Sequence, residues 1–402
     1  MAAISYGYGN KESPVLLKRS LLSIIEKKLK REKLKVAKND SHSKRKPISC
    51  GLTVHPGSGC PLQCSYCYIY DMGFNTYATP YSLEGLQLVA ALLYNKYFYP
   101  TRWGTYLAFG SVTEPFLPNI MPKTLEYLKA VSEYLGNPCQ VSTKMVIHDE
   151  VIEELVGIKD LKISFLITVT SLRQFLHLEE KAPHPFKRLE NLKRLRKKGF
   201  KPFVFLRPLL PGLSDEELSE IVDQARASGA YGIVIGNLRL SQNIIKRLLG
   251  KGINLSKLFT TDFRSLKKGF IDIRVNGRVL SCIRERALER GLIFVKRACC
   301  ANTLSQYLQG HSDVVCPSLC FLNENVCEPT CPSQCRRKAL GEPNHIDMYE
   351  TIGEVLGSNK YEVDVENHVI SIKLKESLRD EKSALFSLMY LLRRKIRFIK
   401  ST

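Results

Sequence analysis

The 402 residues are 44% hydrophobic and 25% charged, a composition that buries a sizeable core and excludes a low-complexity or fibrous chain. No run of 18 apolar residues occurs, and the N-terminus lacks an apolar stretch leading to a small-residue cleavage site, so neither a membrane span nor secretion is expected. The 13 cysteines then point to metal binding in a reducing cytoplasm, while the net charge of +21 favours a polyanion such as nucleic acid over a merely solvated Lys-rich surface.

Residues 11–46 carry 13 Lys/Arg against four acids. From Pro14 to about Val36, Leu17, Leu21, Ile24, Ile25 and Leu29 recur at helical spacing. They predict an amphipathic basic helix docked on the body, followed by a break at Asn39-Asp40-Ser41-His42-Ser43. Residues 50–237 then alternate strand and helix patterns. Strands are expected at Gly51–Val54, Thr105–Phe109, Gln140–Thr143, Lys162–Thr168, Phe203–Leu206 and Gly232–Ile235, each a short apolar run of the kind buried in parallel sheets. Helices are expected near 82–96, 121–135, 148–156, 185–198 and 214–228. This α/β pattern predicts a partial, TIM-like (β/α)6 barrel, with functional loops at the C-terminal ends of its strands.

Cys60, Cys64 and Cys67, at C-x3-C-x2-C, follow the first strand. A closed [4Fe–4S] cluster or a structural zinc takes four protein ligands, so three leave one metal position open. Half a zinc site or three buried thiols are the alternatives. The second strand runs into Ser111, Thr113 and Glu114; the third ends Ser142-Thr143-Lys144; the fourth carries Thr168 and Thr170; the fifth ends at Arg207. Each tip offers polar groups suited to an ionic ligand, the guanidinium to a carboxylate or phosphate.

Beyond the barrel, residues 271–282 read as a hairpin turning at Asn276-Gly277, and eight cysteines follow within about 55 residues. These are Cys282, Cys299, Cys300, Cys316, Cys320, Cys327, Cys331 and Cys335, enough for one or two Fe–S clusters or for zinc. Cys50 and Cys139 read as core thiols, and His148, His177 and His184 as surface or loop residues. Tyr361–Leu374 reads as another hairpin and Ser383–Ile399 as a basic amphipathic helix. The expected division is 1–47 basic extension, 48–265 barrel, 266–340 Cys-rich region and 341–402 α+β tail.

The cysteine spacing with Tyr66 before the last cysteine resembles the radical S-adenosylmethionine (SAM) superfamily. Within it, residues 48–240 are similar to the spore photoproduct lyase branch, through Gly110-Ser-Val-Thr-Glu-Pro-Phe, Ser142-Thr-Lys, the Val169–Arg188 segment and Arg207-Pro-Leu-Leu-Pro-Gly. The resemblance implies a six-stranded open barrel and a [4Fe–4S] cluster on Cys60, Cys64 and Cys67, with SAM on the open iron. It implies Tyr66 near the adenine, with Tyr68, Ser111, Thr113, Glu114, Ser142, Thr143, Lys144, Thr168, Thr170, Arg188 and Arg207 around the cofactor. Reductive cleavage of SAM to a 5′-deoxyadenosyl radical, fed by ferredoxin or flavodoxin, is the implied reaction. Cys282 and the later cysteines resemble an auxiliary [4Fe–4S] region, with zinc as the alternative. The lyase's hydrogen-donating cysteine would stand at or beside Ser111, and a hydroxyl is a far poorer hydrogen-atom donor. The branch therefore implies fold and cofactor, not substrate: tRNA or DNA is the leading substrate, a peptide or metabolite the second, and a non-catalytic Fe–S or zinc module the third reading.

Overall fold

The computed structural model describes residues 13–47, 51–210, 212–253, 255, 269–273, 275–311, 347–366 and 369–400. Ser13 caps α1 (Pro14–Lys28), its hydroxyl accepting the Val15 N–H at 3.2 Å. The expected single helix is in fact two. Leu29 and Lys30 are extended, and α2 (Arg31–Asn39) starts afresh, followed by the short α3 (Ser41–Lys44). Leu21, Ile25 and Ala37 are buried, so the basic segment lays its apolar face on the barrel's outer layer.

The chain continues through β1 (Leu52–Val54), a ribbon of β2 (Gly57–Ser58) and β3 (Thr79–Pro80), and α4 (Gly85–Tyr94), onto which α1 and α2 pack. Then come β4 (Leu107–Phe109), α5 (Met121–Tyr134), β5 (Cys139–Thr143), α6 (Asp149–Gly157), β6 (Ile163–Thr168), α7 (Phe175–Leu178) and α8 (Pro185–Lys197). β7 (Phe203–Leu206), α9 (Asp215–Ala227) and β8 (Gly232–Ile235) complete the six expected strands. They form one parallel sheet in sequence order, as a partial TIM-like barrel requires.

Strand alternation builds two layers. Phe165, Ile167, Val204, Leu206, Ile233 and Ile235 face the helices, while Leu166, Phe203, Phe205 and Val234 face inward.

The region after β8 departs from expectation. β9 (Leu238–Leu240) and α10 (Gln242–Gly250) follow, and β10 (Ile271–Ile273) pairs antiparallel with β9. Asn276 makes no hairpin turn. Its side-chain oxygen accepts the Arg278 N–H at 2.9 Å and caps α11 (Gly277–Glu289), placing Cys282 within a helix. β11 (Ile293–Val295) then pairs with β8 as a seventh parallel strand. α12 (Ala298–Leu308) closes the inner face, where the Asn302 amide donates to Cys139 O at 3.1 Å and to Ser164 Oγ at 2.6 Å.

The C-terminal unit comprises α13 (Met348–Leu356), β12 (Tyr361–Glu366), β13 (Val369–Leu374), α14 (Glu381–Leu392) and β14 (Lys395–Lys400). The expected hairpin is present between β12 and β13, but the expected helix stops at Leu392, and residues 395–400 pair parallel with β13. No helix among the described residues is long and apolar enough to cross a membrane.

Candidate active site

The C-terminal tip of β1 leads into the cysteine loop, whose backbone is fixed from several sides. Gly59 has φ +81°, and a Cβ there would collide with the Tyr77 carbonyl, so only glycine fits this approach. The Cys60 N–H donates to Asn75 O at 3.1 Å, the Ser65 N–H to Leu178 O at 2.8 Å and the Cys67 N–H to Cys64 O at 2.9 Å. Tyr70 bridges the loop, accepting the Gln63 N–H and donating to Cys60 O, both at 2.9 Å.

Cys64 is buried, Cys60 and Cys67 are half-buried, and all three are thiols outside any disulfide. Burial pushes Cys60 up to about 11 and Cys64 to about 12, and raises Cys67. The Lys144 cation opposes the rise at each of them. Its ammonium lies 5.5 Å over the Tyr66 ring. Burial lowers the Lys144 amine, but Cys64 and Glu179 outweigh it and hold the amine above its ordinary range.

The strand tips converge on this loop. Gly110 has φ +92°, and a Cβ there would sit 2.5 Å from Ser142 O. Glu114 is buried, accepting the Thr143 hydroxyl and, at 2.9 Å, the Lys144 N–H; burial nevertheless pushes its carboxyl up. Thr113 is 5% exposed, and its hydroxyl has no hydrogen-bond partner among the described residues. Ser142 donates to Phe109 O at 3.3 Å. The Tyr68 hydroxyl donates to Ser111 O at 2.9 Å. Arg207 is exposed at the tip of β7, its guanidinium 5.8 Å from the Phe205 ring.

Three residues missed by sequence reasoning organise the rest. Fully buried Glu179 accepts the Tyr66 hydroxyl and, at 2.9 Å, the Thr170 hydroxyl, and pairs with fully buried Arg188 at 2.6 Å. Arg188 also donates to Thr168 O at 3.2 Å and Pro183 O at 2.6 Å, so it is an anchor within the wall. His55, just past β1, lies 3.3 Å from the Ser111 hydroxyl, and its backbone N–H donates to His42 Nε2 at 3.1 Å. Burial, with Arg45 and His42, pushes His55 down to about 2, leaving a neutral imidazole. Arg247 on α10 donates to the carbonyls of Ser65 and Cys67. Glu179 falls inside the Val169–Arg188 segment that carries the family resemblance; nothing local in the sequence marks His55 or Arg247.

Among the described residues, no three His, Cys, Asp or Glu side chains could share one metal ion. The donor set instead fits a cluster that spreads three thiolates over separate irons and leaves one iron open. The orphan Thr113 hydroxyl and the Lys144 cation are suited to an ionic ligand there. Of the late cysteines, Cys282 is half-buried on α11, Cys299 is buried on α12 and Cys300 half-buried beside it. These three are not gathered into a metal-holding group. Cys316, Cys320, Cys327, Cys331 and Cys335, like Cys50, lie outside the described residues.

The parallel α/β sheet thus carries a loop of three free thiols at the C-terminal ends of its strands. The profile described as Radical SAM superfamily matches residues 54–225, so the chain carries a radical SAM domain, which supports an enzyme. That family implies a [4Fe–4S] cluster and SAM. No curated protein matches the chain. Among solved structures, one mutant of spore photoproduct lyase is similar at 13% identity, covering 74% of this chain and 88% of that one, with a TM-score of 0.48. Another lyase mutant is similar at 14% identity, covering 66% and 84%, with a TM-score of 0.47. Streptococcus suis SuiB bound to its precursor peptide SuiA is similar at 15% identity, covering 68% and 54%, with a TM-score of 0.39.

Proposed function

We propose that this enzyme abstracts a hydrogen atom from a nucleic acid, a tRNA nucleoside or a DNA lesion. The observation that carries the chemistry is the meeting of three thiols with one cation, Lys144, at the C-terminal mouth of the barrel. When bound, the cluster and SAM supply one-electron cleavage of the sulfonium and the hydrogen-abstracting species.

The chain's own residues do the holding. Cys60, Cys64 and Cys67 take the cluster. Thr113, with the Glu114 carboxylate fixed by Thr143 and the Lys144 amide, receives the cationic end of SAM. Lys144 offsets the carboxylate or the cluster's negative charge, while Ser142, Thr143, Thr168 and Thr170 supply hydroxyls to the ribose side. Tyr66, oriented by Glu179, closes the loop side, and its burial excludes water from the pocket. Cys139 starts β5, at the opposite end from the mouth, so it is not placed beside Ser111 as a hydrogen donor.

The nucleic-acid reading is supported by the charge of +21 and its distribution. On and just beyond α8, Lys187, Lys193, Arg196, Lys197 and Lys198 are all exposed, while Leu189, Leu192 and Leu195 face the core. Arg207 stands exposed at the mouth, suited to a phosphate. The late cysteines are proposed to hold an auxiliary [4Fe–4S] cluster, with zinc as the competing occupant, and ferredoxin or flavodoxin is the proposed electron donor.

The test is anaerobic incubation with dithionite and SAM, followed by binding to bulk tRNA and DNA across salt. Formation of 5′-deoxyadenosine above a Cys64→Ala control, with affinity falling steeply with salt, is the expected result. Turnover of SAM with no nucleic-acid binding at low salt would instead favour a peptide or metabolite substrate.

A further inference from the structure

The radical SAM profile ends at residue 225, yet the cysteine loop is braced by a segment beyond it. Leu62, Cys64 and Tyr66 pack with Leu238, Leu240, Ile244 and Leu248 in a hydrophobic cluster separate from the barrel core. The last two lie on α10, whose N-cap Ser241 accepts the Ile244 N–H at 3.1 Å. The same Ser241 hydroxyl donates to Asp71, a carboxylate whose side chain is only 7% exposed and which belongs to the turn following the cysteines.

From the next turn of α10, Arg247 completes the contact. Its Nε donates to Ser65 O at 3.0 Å and Nη2 to Cys67 O at 2.8 Å, while Nη1 pairs with Asp71 at 3.0 Å. One planar guanidinium thus fixes the carbonyl of a metal-ligating cysteine, the carbonyl two residues before it and the carboxylate four residues after it. A lysine cannot reproduce this, since its ammonium is a point charge without the fork. At 31% exposure the guanidinium is partly shielded from solvent screening.

We propose that Arg247 is a positioning residue for the cluster, clamping the Ser65–Cys67 arc and keeping a fixed positive charge beside it. The inference rests on the cluster reading of Cys60, Cys64 and Cys67. Two consequences are separable. The hydrogen bonds hold the loop in its ligating shape, which slows loss of iron. The charge favours the more negative, reduced cluster and so raises its potential.

The experiment compares Arg247→Gln, Arg247→Lys and Lys246→Gln with the wild type, all reconstituted anaerobically. Lys246 is exposed on the same helix and controls for generic loss of charge. Iron release to a chelator and the cluster's midpoint potential are measured. Arg247→Gln is expected to release iron about tenfold faster. Its one-electron reduction equilibrium should fall by roughly tenfold, a drop of about 59 mV. Arg247→Lys should keep most of the potential while still releasing iron faster, and Lys246→Gln should match the wild type in both.

Arg247→Gln indistinguishable from the wild type in both measures would overturn the proposal. Should that variant fail to fold by circular dichroism, Arg247→Lys decides: faster iron release supports the clamp, and wild-type release refutes it. Wild-type protein that takes up no iron at the triplet would overturn the cluster reading itself, a result distinct from an unchanged Arg247 variant.

Discussion

Replacing Glu179 by glutamine keeps the size and an acceptor for Tyr66 and Thr170 but leaves the Arg188 guanidinium buried without its counter-charge. Both side chains are fully buried and 2.6 Å apart, so solvent cannot compensate. Breaking such a pair from one side costs about 3–5 kcal/mol, and hydrogen bonds to a charged group contribute about 1.5–3 kcal/mol each. At about 2–4 °C per kcal/mol for a domain of this size class, the melting temperature should fall on the order of 10 °C. The double variant Glu179→Gln/Arg188→Met removes both charges, keeps the acceptor for Tyr66 and Thr170, and should recover much of the loss. A pH series gives an independent sign. Burial alone would push the Glu179 carboxyl up, but Arg188, Lys144 and the Tyr66 hydroxyl outweigh it and hold it below the usual range. Its stabilisation is therefore present above the unfolded value of about 4.3 and is lost as pH falls through the lower folded value. Wild-type stability should decline more steeply than that of Glu179→Gln below about pH 4. Urea or thermal unfolding followed by circular dichroism measures both effects. A Gln variant melting within a degree or two of the wild type would refute the account of this wall.

In the metal-free chain the raised thiols predict slow alkylation. With Cys64 at about 12, only about one part in 10⁴ is thiolate at pH 8, and the rate should climb nearly tenfold per pH unit. Lys144→Met should slow it further at every pH; iodoacetamide labelling of Cys64 at the rate of an unhindered thiol near neutral pH would contradict this. On α8, changing Lys187, Lys193, Arg196 and Lys197 to glutamine should weaken nucleic-acid binding across sequences. The salt slope should become shallower by up to about 0.9 for each phosphate that is no longer neutralised, and an unchanged slope would remove α8 from the interface.

The barrel was legible because its strands are apolar runs bounded by polar residues and glycine, and six of them stand close to the expected limits. β11 escaped notice because Ile293–Val295 is too short to show a period and sits among cysteines. Asn276-Gly277 misled for a chemical reason: the side-chain oxygen that favours a tight turn is equally good at capping a helix, and the helix won. At the C-terminus, Ile396 and Phe398 carry an alternation that the preceding helical run obscured; pairing with β13 decides it. In the site, the cysteines and strand tips were local patterns. His55 and Arg247 act through contacts between distant segments, and Glu179 ties its own segment to Tyr66 in the cysteine loop. Arg188 was placed beside the cofactor by resemblance, whereas the structure commits its guanidinium to Glu179.

Counting iron and sulfide in anaerobically prepared protein, wild type against Cys60/Cys64/Cys67→Ala, tests the central claim most directly. The triple variant should lose about four irons and the SAM-induced change in the cluster's spectrum. Equal iron in the two proteins, with SAM leaving both spectra unaltered, would contradict it.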